Sequence, residues 1–212
     1  MSTMKQAMLN NAIGLGIFAV VTAGLIGLTH NLTGERIEAQ QREAQAGALR
    51  QIIPESDHDN DMLTDTFRLP ADPALGHDEP PEGWRARFDG EVTGVILPVI
   101  APDGYSGDIH LLVGIDRSGE ILGVRVTRHQ ETPGLGDKIE RRKDDWILDF
   151  DGRSLDHPQP EGWQVRADGG EFDQFSGATI TPRAVVRAVY RALTVFEDQR
   201  ESILAIGEDN SD

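Results

Sequence analysis

An α+β domain with a mostly antiparallel sheet packed with helices, carried behind a single N-terminal transmembrane helix, is the architecture this sequence predicts. Three stretches predict it. Ala12 to Thr29 contains no charged residue and is rich in Ile, Leu, Val, Ala and Gly, about the length that crosses a hydrocarbon core as a helix. From Trp84 to Thr127, apolar stretches lie between turn signals, and Ile109, Leu111, Val113 and Ile115 recur with a period of two, the pattern of paired strands. From Pro182 onward the apolar residues recur at helical spacing instead.

Composition narrows the function classes. Lys plus Arg is 20 and Asp plus Glu is 36 in 212 residues, a formal net charge of -16. That argues against nucleic acid as a partner, because neutralising phosphates needs a basic face. There is no cysteine, which excludes disulfides, thiolate-ligated iron–sulfur clusters and thioether-attached haem. If the chain carries electrons, a bound organic cofactor is the vehicle that remains.

Taken in order, residues 1–10 form a short N-terminal segment and 11–30 the transmembrane helix. The apolar run is longer than the core of a cleaved signal peptide, and no A-x-A-like cleavage site follows it. Ala19, Ala23 and Gly27 recur at four-residue intervals, a face on which another helix can pack closely. Lys5 precedes the span and Arg36 and Arg42 follow it, so charge alone does not orient it. Residues 31–62 read as a helical stalk and linker, with a thin stripe of Ile37, Ala44, Ala48, Leu49 and Ile52 before Pro54. The globular domain spans 63–206, and an acidic tail spans 207–212.

Within that domain, strands are expected at Thr64–Leu69, Trp84–Phe88, Val92–Ala101, Ile109–Ile115 and Ile121–Thr127, with turns at Asp89-Gly90 and Arg117-Ser118-Gly119. The last strand runs into the loop His129-Gln130-Glu131-Thr132-Pro133-Gly134-Leu135-Gly136. His129 and Glu131 suit hydrogen bonding better than metal binding, since no further ligand cluster has metal spacing. Gly134 and Gly136 suit positive φ or close approach, not a phosphate loop. Asp137 is expected to cap a helix reaching Phe150, with Ile139, Trp146, Ile147 and Phe150 inward and Arg141 to Asp145 in water. A short strand is expected at Trp163–Arg166. In the last helix Val185, Val189, Leu193 and Phe196 face the core, while Arg183, Arg187 and Arg191 line a solvated face or meet an anion.

Between these elements lies Asp173-Gln174-Phe175-Ser176-Gly177-Ala178-Thr179, followed by Ile180-Thr181-Pro182. Thr181 reads as the N-cap and Pro182 as the first helical residue. Thr179 then sits two residues upstream, where free N–H groups and the helix dipole favour a phosphate. The same residues also read as a plain loop feeding a capped helix.

At these residues the chain resembles the RnfG subunit of the Rnf electron-transport complex, called RsxG in some bacteria and related to the NqrC subunit of the sodium-pumping NADH:quinone reductase. Residues His129 to Ile139 and Gly170 to Thr181 carry the resemblance, which extends over nearly the whole chain. The second contains the family's flavinylation pattern, Asp-x-x-Ser/Thr-Gly-Ala-Thr, without departure. The resemblance implies a domain that binds FMN, joined through its phosphate to the Thr179 hydroxyl by a separate flavin transferase that recognises Asp173. It implies a short cytoplasmic N-terminus, a single pass through the bacterial inner membrane, and a domain in the periplasm. The protein would relay electrons among the other membrane subunits of an ion-translocating ferredoxin/NAD oxidoreductase, with no catalytic residue of its own. Around the flavin, Ser176, Gly177, Ala178 and Thr181 are expected from the attachment stretch. Glu131, Thr132, Gly134, Leu135 and Gly136 are expected against the ring or ribityl chain, and Lys138 against the phosphate or a reduced flavin anion. A free-standing periplasmic flavin reductase and a non-redox membrane-anchored scaffold or sensor are the alternatives.

Overall fold

The computed structural model describes residues 2–69 and 72–205, and the side chains of 2–5, 7, 10, 28–39, 41 and 205 lie outside that description. The acidic tail expected over 207–212 and Pro70 therefore fall outside the described residues, as do the side chains of Lys5, Arg36 and Ile37. Two compact units meet in the chain at Gln45 and Ala46.

In the first unit the chain is helical, as part of α1 (Ser2–Ile52). Among the described residues no helix is long and apolar enough to cross a membrane. The described apolar side chains stop at Gly27, and those of 28–30, which would complete the expected span, are outside the description. Within the run Ile13, Leu15, Ile17, Phe18, Val20, Val21, Leu25 and Ile26 are all exposed.

The second unit holds a five-stranded antiparallel sheet in the order β1-β2-β3-β4-β5, with β1 Thr66–Arg68, β2 Glu82–Phe88, β3 Glu91–Gly104, β4 Gly107–Asp116 and β5 Ile121–Arg128. The alternation seen in sequence separates the two faces. Val95, Leu97, Val99 and Ala101 of β3 and Ile109, Leu111, Val113 and Ile115 of β4 join the main core with α2 (Ile180–Ala205). Their neighbours Ile96 and Leu112 face the other way, into a smaller core with Leu49, Ile52, Ile53, Met62, Trp84 and Ala86. The final turns of α1 thus belong to the globular unit. Ile52 fits there because β4 has no side chain beneath it: a Cβ on Gly114 would lie 2.2 Å from Ile52 Cγ2. Gly114→Ala is expected to cost about 1–3 kcal/mol by overpacking, read from urea unfolding, and Ile52→Ala in the same chain should recover part of the loss.

An ion-paired edge closes the sheet. Arg85 is buried, donates from Nε to Asp65 at 2.8 Å, and lies over the Phe67 ring. Arg87 Nε donates to the other Asp65 oxygen at 2.7 Å. Burial pushes the Asp65 carboxyl up, but the hydrogen bonds from Arg87 and Arg85 outweigh it and hold the group below the usual carboxylate range. A depressed carboxyl contributes stability above its unfolded value of about 3.9 and loses it as the pH falls through the folded value. Asp149 and Asp151 are displaced upward by burial, so the wild-type curve sums opposing groups and the difference curve isolates Asp65. Asp65→Asn is expected to lose about 1–2 kcal/mol near neutrality, solvent screening the part-exposed carboxylate, with the gap closing as the pH falls below about 4 in urea melts.

Three expectations are corrected. No α-helix runs from Asp137 to Phe150; Gly136–Ile139 and Trp146–Phe150 are separate 3-10 turns. The break has a local cause, since the Asp144 carboxylate accepts the Trp146 N–H at 3.0 Å and competes with helix bonding. The faces are as expected, with Ile139, Trp146, Ile147 and Phe150 buried and 141–145 exposed. Trp163–Arg166 is not a strand; Val165 makes only an isolated bridge to Phe172, between 3-10 turns at Pro160–Gly162 and Arg166–Asp168. The arginine row of α2 holds protein groups. Arg183 binds both oxygens of Asp168 at 2.6 and 2.9 Å, Arg187 pairs with Asp103 at 3.6 Å, and Arg191 donates to the carbonyl of Ala74 at 2.8 Å.

Candidate functional site

The attachment stretch is shaped by a turn and two anchors. Gly177 has a φ of +82° and the Ala178 N–H donates to the Phe175 carbonyl at 3.1 Å. With Ser176 at negative φ, this is a type II turn, whose third position favours glycine. Phe175 is buried edge-on against Trp146, ring centres 5.1 Å apart. Trp146 Nε1 also donates to the Asp173 carbonyl at 2.8 Å, so this tryptophan positions the loop as well as filling the core. Gln174 accepts the Ala167 N–H, and the Asp173 carboxylate pairs with Arg166 at 2.7 Å.

α2 starts two residues earlier than its sequence suggests. Ile180 is the first helical residue, and the Thr179 carbonyl accepts the Arg183 N–H at 3.3 Å. Thr179 therefore occupies the cap itself. The N–H groups of Ile180 and Thr181 have no partner within the helix, and Pro182, which has none to offer, is tolerated in the first turn. Thr181, expected as the cap, is fully buried and donates its hydroxyl to Glu131 Oε2.

Glu131 is the keystone of the loop after β5. It is 4% exposed, and its Oε1 accepts the Ser106 N–H at 2.9 Å from the tip of the β3–β4 hairpin. One carboxyl group thus ties three elements together: the hairpin tip, its own loop and the first turn of α2. Space for it is made by glycine, since a Cβ on Gly136 would lie 2.8 Å from Glu131 Oε2 and 2.9 Å from Thr181 Oγ1. The loop is braced from below by Asp137, buried, which accepts the Gly134 N–H at 2.7 Å and pairs with Lys143 at 3.4 Å. His129 is also a hydrogen-bonding residue. Its Nδ1 accepts the Glu131 N–H at 3.0 Å, which places the ring proton on Nε2, 2.9 Å from Glu140 Oε1. Hydrogen bonding from Arg142 outweighs burial and, with His129 assisting, holds the Glu140 carboxyl below the usual range.

Between hairpin tip, loop and helix lies a cleft of about 560 Å³, within the range of small-molecule and cofactor sites. Glu131, Thr132, Leu135 and Gly136 line it from one side, and Gly177, Ala178, Thr179, Ile180 and Thr181 from the other. Tyr105 lines it as well. Gly134 shapes the loop with its φ of +78° but is not among the lining residues. Ser176 and Lys138 face a neighbouring groove of about 390 Å³ instead, with Asp144, Asp145, Asp149 and Asp173. Lys138 Nζ lies 6.0 Å from the centre of the Phe175 ring there. Burial and the nearby Asp173 push the Asp149 carboxyl up in that acidic groove.

The three hydroxyls between Ser176 and Thr181 have different fates. Thr181 is buried and committed to Glu131; Ser176 faces the other groove. Thr179 alone of the three lies half-buried on the cleft, and among the described residues its hydroxyl makes no hydrogen bond. Sequence reasoning missed Tyr105, Ser106 and Ile180 as parts of this site. The available signal was an aromatic residue at a hairpin tip between Gly104 and Gly107.

A cleft of this size, built on a hairpin tip and a helix start with the free Thr179 hydroxyl on its rim, has the form of a cofactor-binding site. Residues 104–194 match the model of the FMN-binding domain, and residues 1–52 match that of the RnfG N-terminal region. The chain is 50% identical over 201 residues to the G subunit of the ion-translocating oxidoreductase complex of Pseudomonas aeruginosa, covering 95% of this chain and 94% of that one. The corresponding proteins of Vibrio vulnificus and Shewanella loihica are 47% and 45% identical, each over 95% of both chains. The chain belongs to the RnfG family, the G subunits of the ion-translocating oxidoreductase complex.

Proposed function

We infer that this chain is the membrane-anchored flavin carrier of an ion-translocating ferredoxin/NAD oxidoreductase, with FMN esterified through its phosphate to Thr179. The observation that carries the reading is the free Thr179 hydroxyl at the cap of α2, on the rim of the cleft. A phosphate ester at that oxygen leaves one negative charge, which the unbonded N–H groups of the first turn and the helix dipole stabilise. Among the described residues no lysine or arginine lines the cleft, so the helix start supplies positive potential on its rim. When bound, the flavin supplies reversible electron uptake and release. The protein's part is to hold it: Glu131 fixes the wall, the type II turn presents Thr179, and apolar side chains surround the remaining space.

Other features support the setting. The charge-free run over Ala12–Thr29, with apolar side chains directed outward on every side where described, supports a single-pass anchor and membrane partners. The family resemblance supports a domain in the periplasm and maturation by a flavin transferase that reads Asp173. Asp173 lines the other groove with its side chain 55% exposed, which leaves it accessible to such an enzyme. The test is detergent extraction of tagged full-length chain from membranes that contain the transferase. Co-purification of several integral membrane proteins, with bleaching of the flavin when the complex receives electrons, is the expected outcome. A chain that extracts alone and reduces a small acceptor by itself would support the free-standing reductase and contradict this reading.

A further inference from the structure

The globular unit leaves few large apolar side chains exposed, and three of them stand around one cleft: Tyr105 at 67%, Ile180 at 44% and Leu135 at 42%. An exposed apolar cluster around a concavity marks a binding surface. Tyr105 is the most exposed of the three, yet its backbone is held firmly. It lies in the turn between paired Gly104 and Gly107, whose backbones approach so closely that a Cβ on Gly104 would sit 2.3 Å from the Gly107 carbonyl oxygen. The next residue, Ser106, donates its N–H to Glu131, and Glu131 accepts from Thr181, two residues beyond Thr179. This chain of contacts therefore fixes the backbone that carries the aromatic ring relative to the helix start that carries the attachment oxygen.

We propose that Tyr105 is a flavin-contacting residue, packing its ring against the isoalloxazine of the flavin held at Thr179 and shielding it from water. The proposal rests on the attachment inferred above, and it assigns the occupant of the apolar rim. Tethering at Thr179 confines the ring system to the neighbourhood of the cleft, and a planar aromatic ligand is the chemistry that Tyr105, Leu135 and Ile180 match. A phenol against a flavin quenches its fluorescence, and an aromatic ring packed on it, phenol or phenyl, shifts its visible band, so the contact has a signature that folding alone does not produce.

The experiment uses full-length flavinylated chain in detergent, as wild type, Tyr105→Ala, Tyr105→Phe and, as a control remote from the cleft, Phe88→Ala. Fluorescence of the denatured proteins reports attachment and is expected to be equal in all four. In the native state, Tyr105→Ala is expected to show a several-fold rise in flavin fluorescence, faster collisional quenching by acrylamide and a shifted visible band. Tyr105→Phe should keep the wild-type visible band and acrylamide protection, while Phe88→Ala should match wild type throughout. Native spectra and acrylamide quenching unchanged in Tyr105→Ala, with attachment intact, would overturn the contact while leaving the attachment standing. Absence of flavin from the denatured wild type would overturn the attachment, and this proposal with it.

Discussion

Replacing Thr179 with valine is expected to abolish covalent flavin completely while leaving the fold intact. Valine matches threonine in shape, and among the described residues the Thr179 hydroxyl makes no hydrogen bond, so nothing internal is broken. The stability change should stay within about 1 kcal/mol. What is lost is the oxygen without which no phosphate ester forms. Denaturing-gel fluorescence after co-expression with the transferase measures this directly: signal in wild type, none in Thr179→Val. Thr181→Val should behave oppositely. It keeps Thr179 and so keeps flavin, but leaves a buried Glu131 oxygen without its donor, at a cost of about 1–3 kcal/mol.

The second large effect is expected at Glu131. Alanine there would orphan the Thr181 hydroxyl and the Ser106 N–H together and open a void beside Gly136. A loss of about 2–4 kcal/mol follows, read from urea unfolding of the full chain. Glutamine should recover most of it, because its oxygen can accept from Ser106 and its amide can donate to the Thr181 oxygen. If the latch is one unit, Glu131→Ala and Thr181→Val will not add, and a double-mutant cycle should show coupling of about 0.5–3 kcal/mol. Additive losses would mean that the two residues act separately.

The sheet was legible because its signal is local. Period-two alternation and the Asp89-Gly90 turn, with φ of +52° and +81°, require only neighbours in sequence. Where tertiary contacts decide, local reading fell short. The 137–150 segment carries a helical pattern of apolar residues, but Asp144 diverts the Trp146 N–H and the chain settles into 3-10 turns. The α2 arginines look like a solvated row until Asp168, Asp103 and the Ala74 carbonyl are brought up to them. Thr179 was legible as a hydroxyl near a helix start. Its place at the cap was not, because Thr181 looks the better cap until Glu131, 50 residues away in sequence, takes its hydroxyl. For the same reason no pattern within the loop shows that Glu131 bonds the hairpin tip and helix start. Tyr105 lay hidden because nothing local distinguishes a hairpin-tip aromatic that edges a cleft from one that points only to solvent.

The most direct measurement is peptide mapping of the mature chain. Trypsin should release the segment from Ala167 to Arg183, which carries Ser176, Thr179 and Thr181 as its hydroxyl residues. Fragmentation of that peptide is predicted to place the mass of FMN, less one water, on Thr179 alone. The same mass on Ser176 or Thr181, or an unmodified peptide from protein matured with the transferase, would contradict the account.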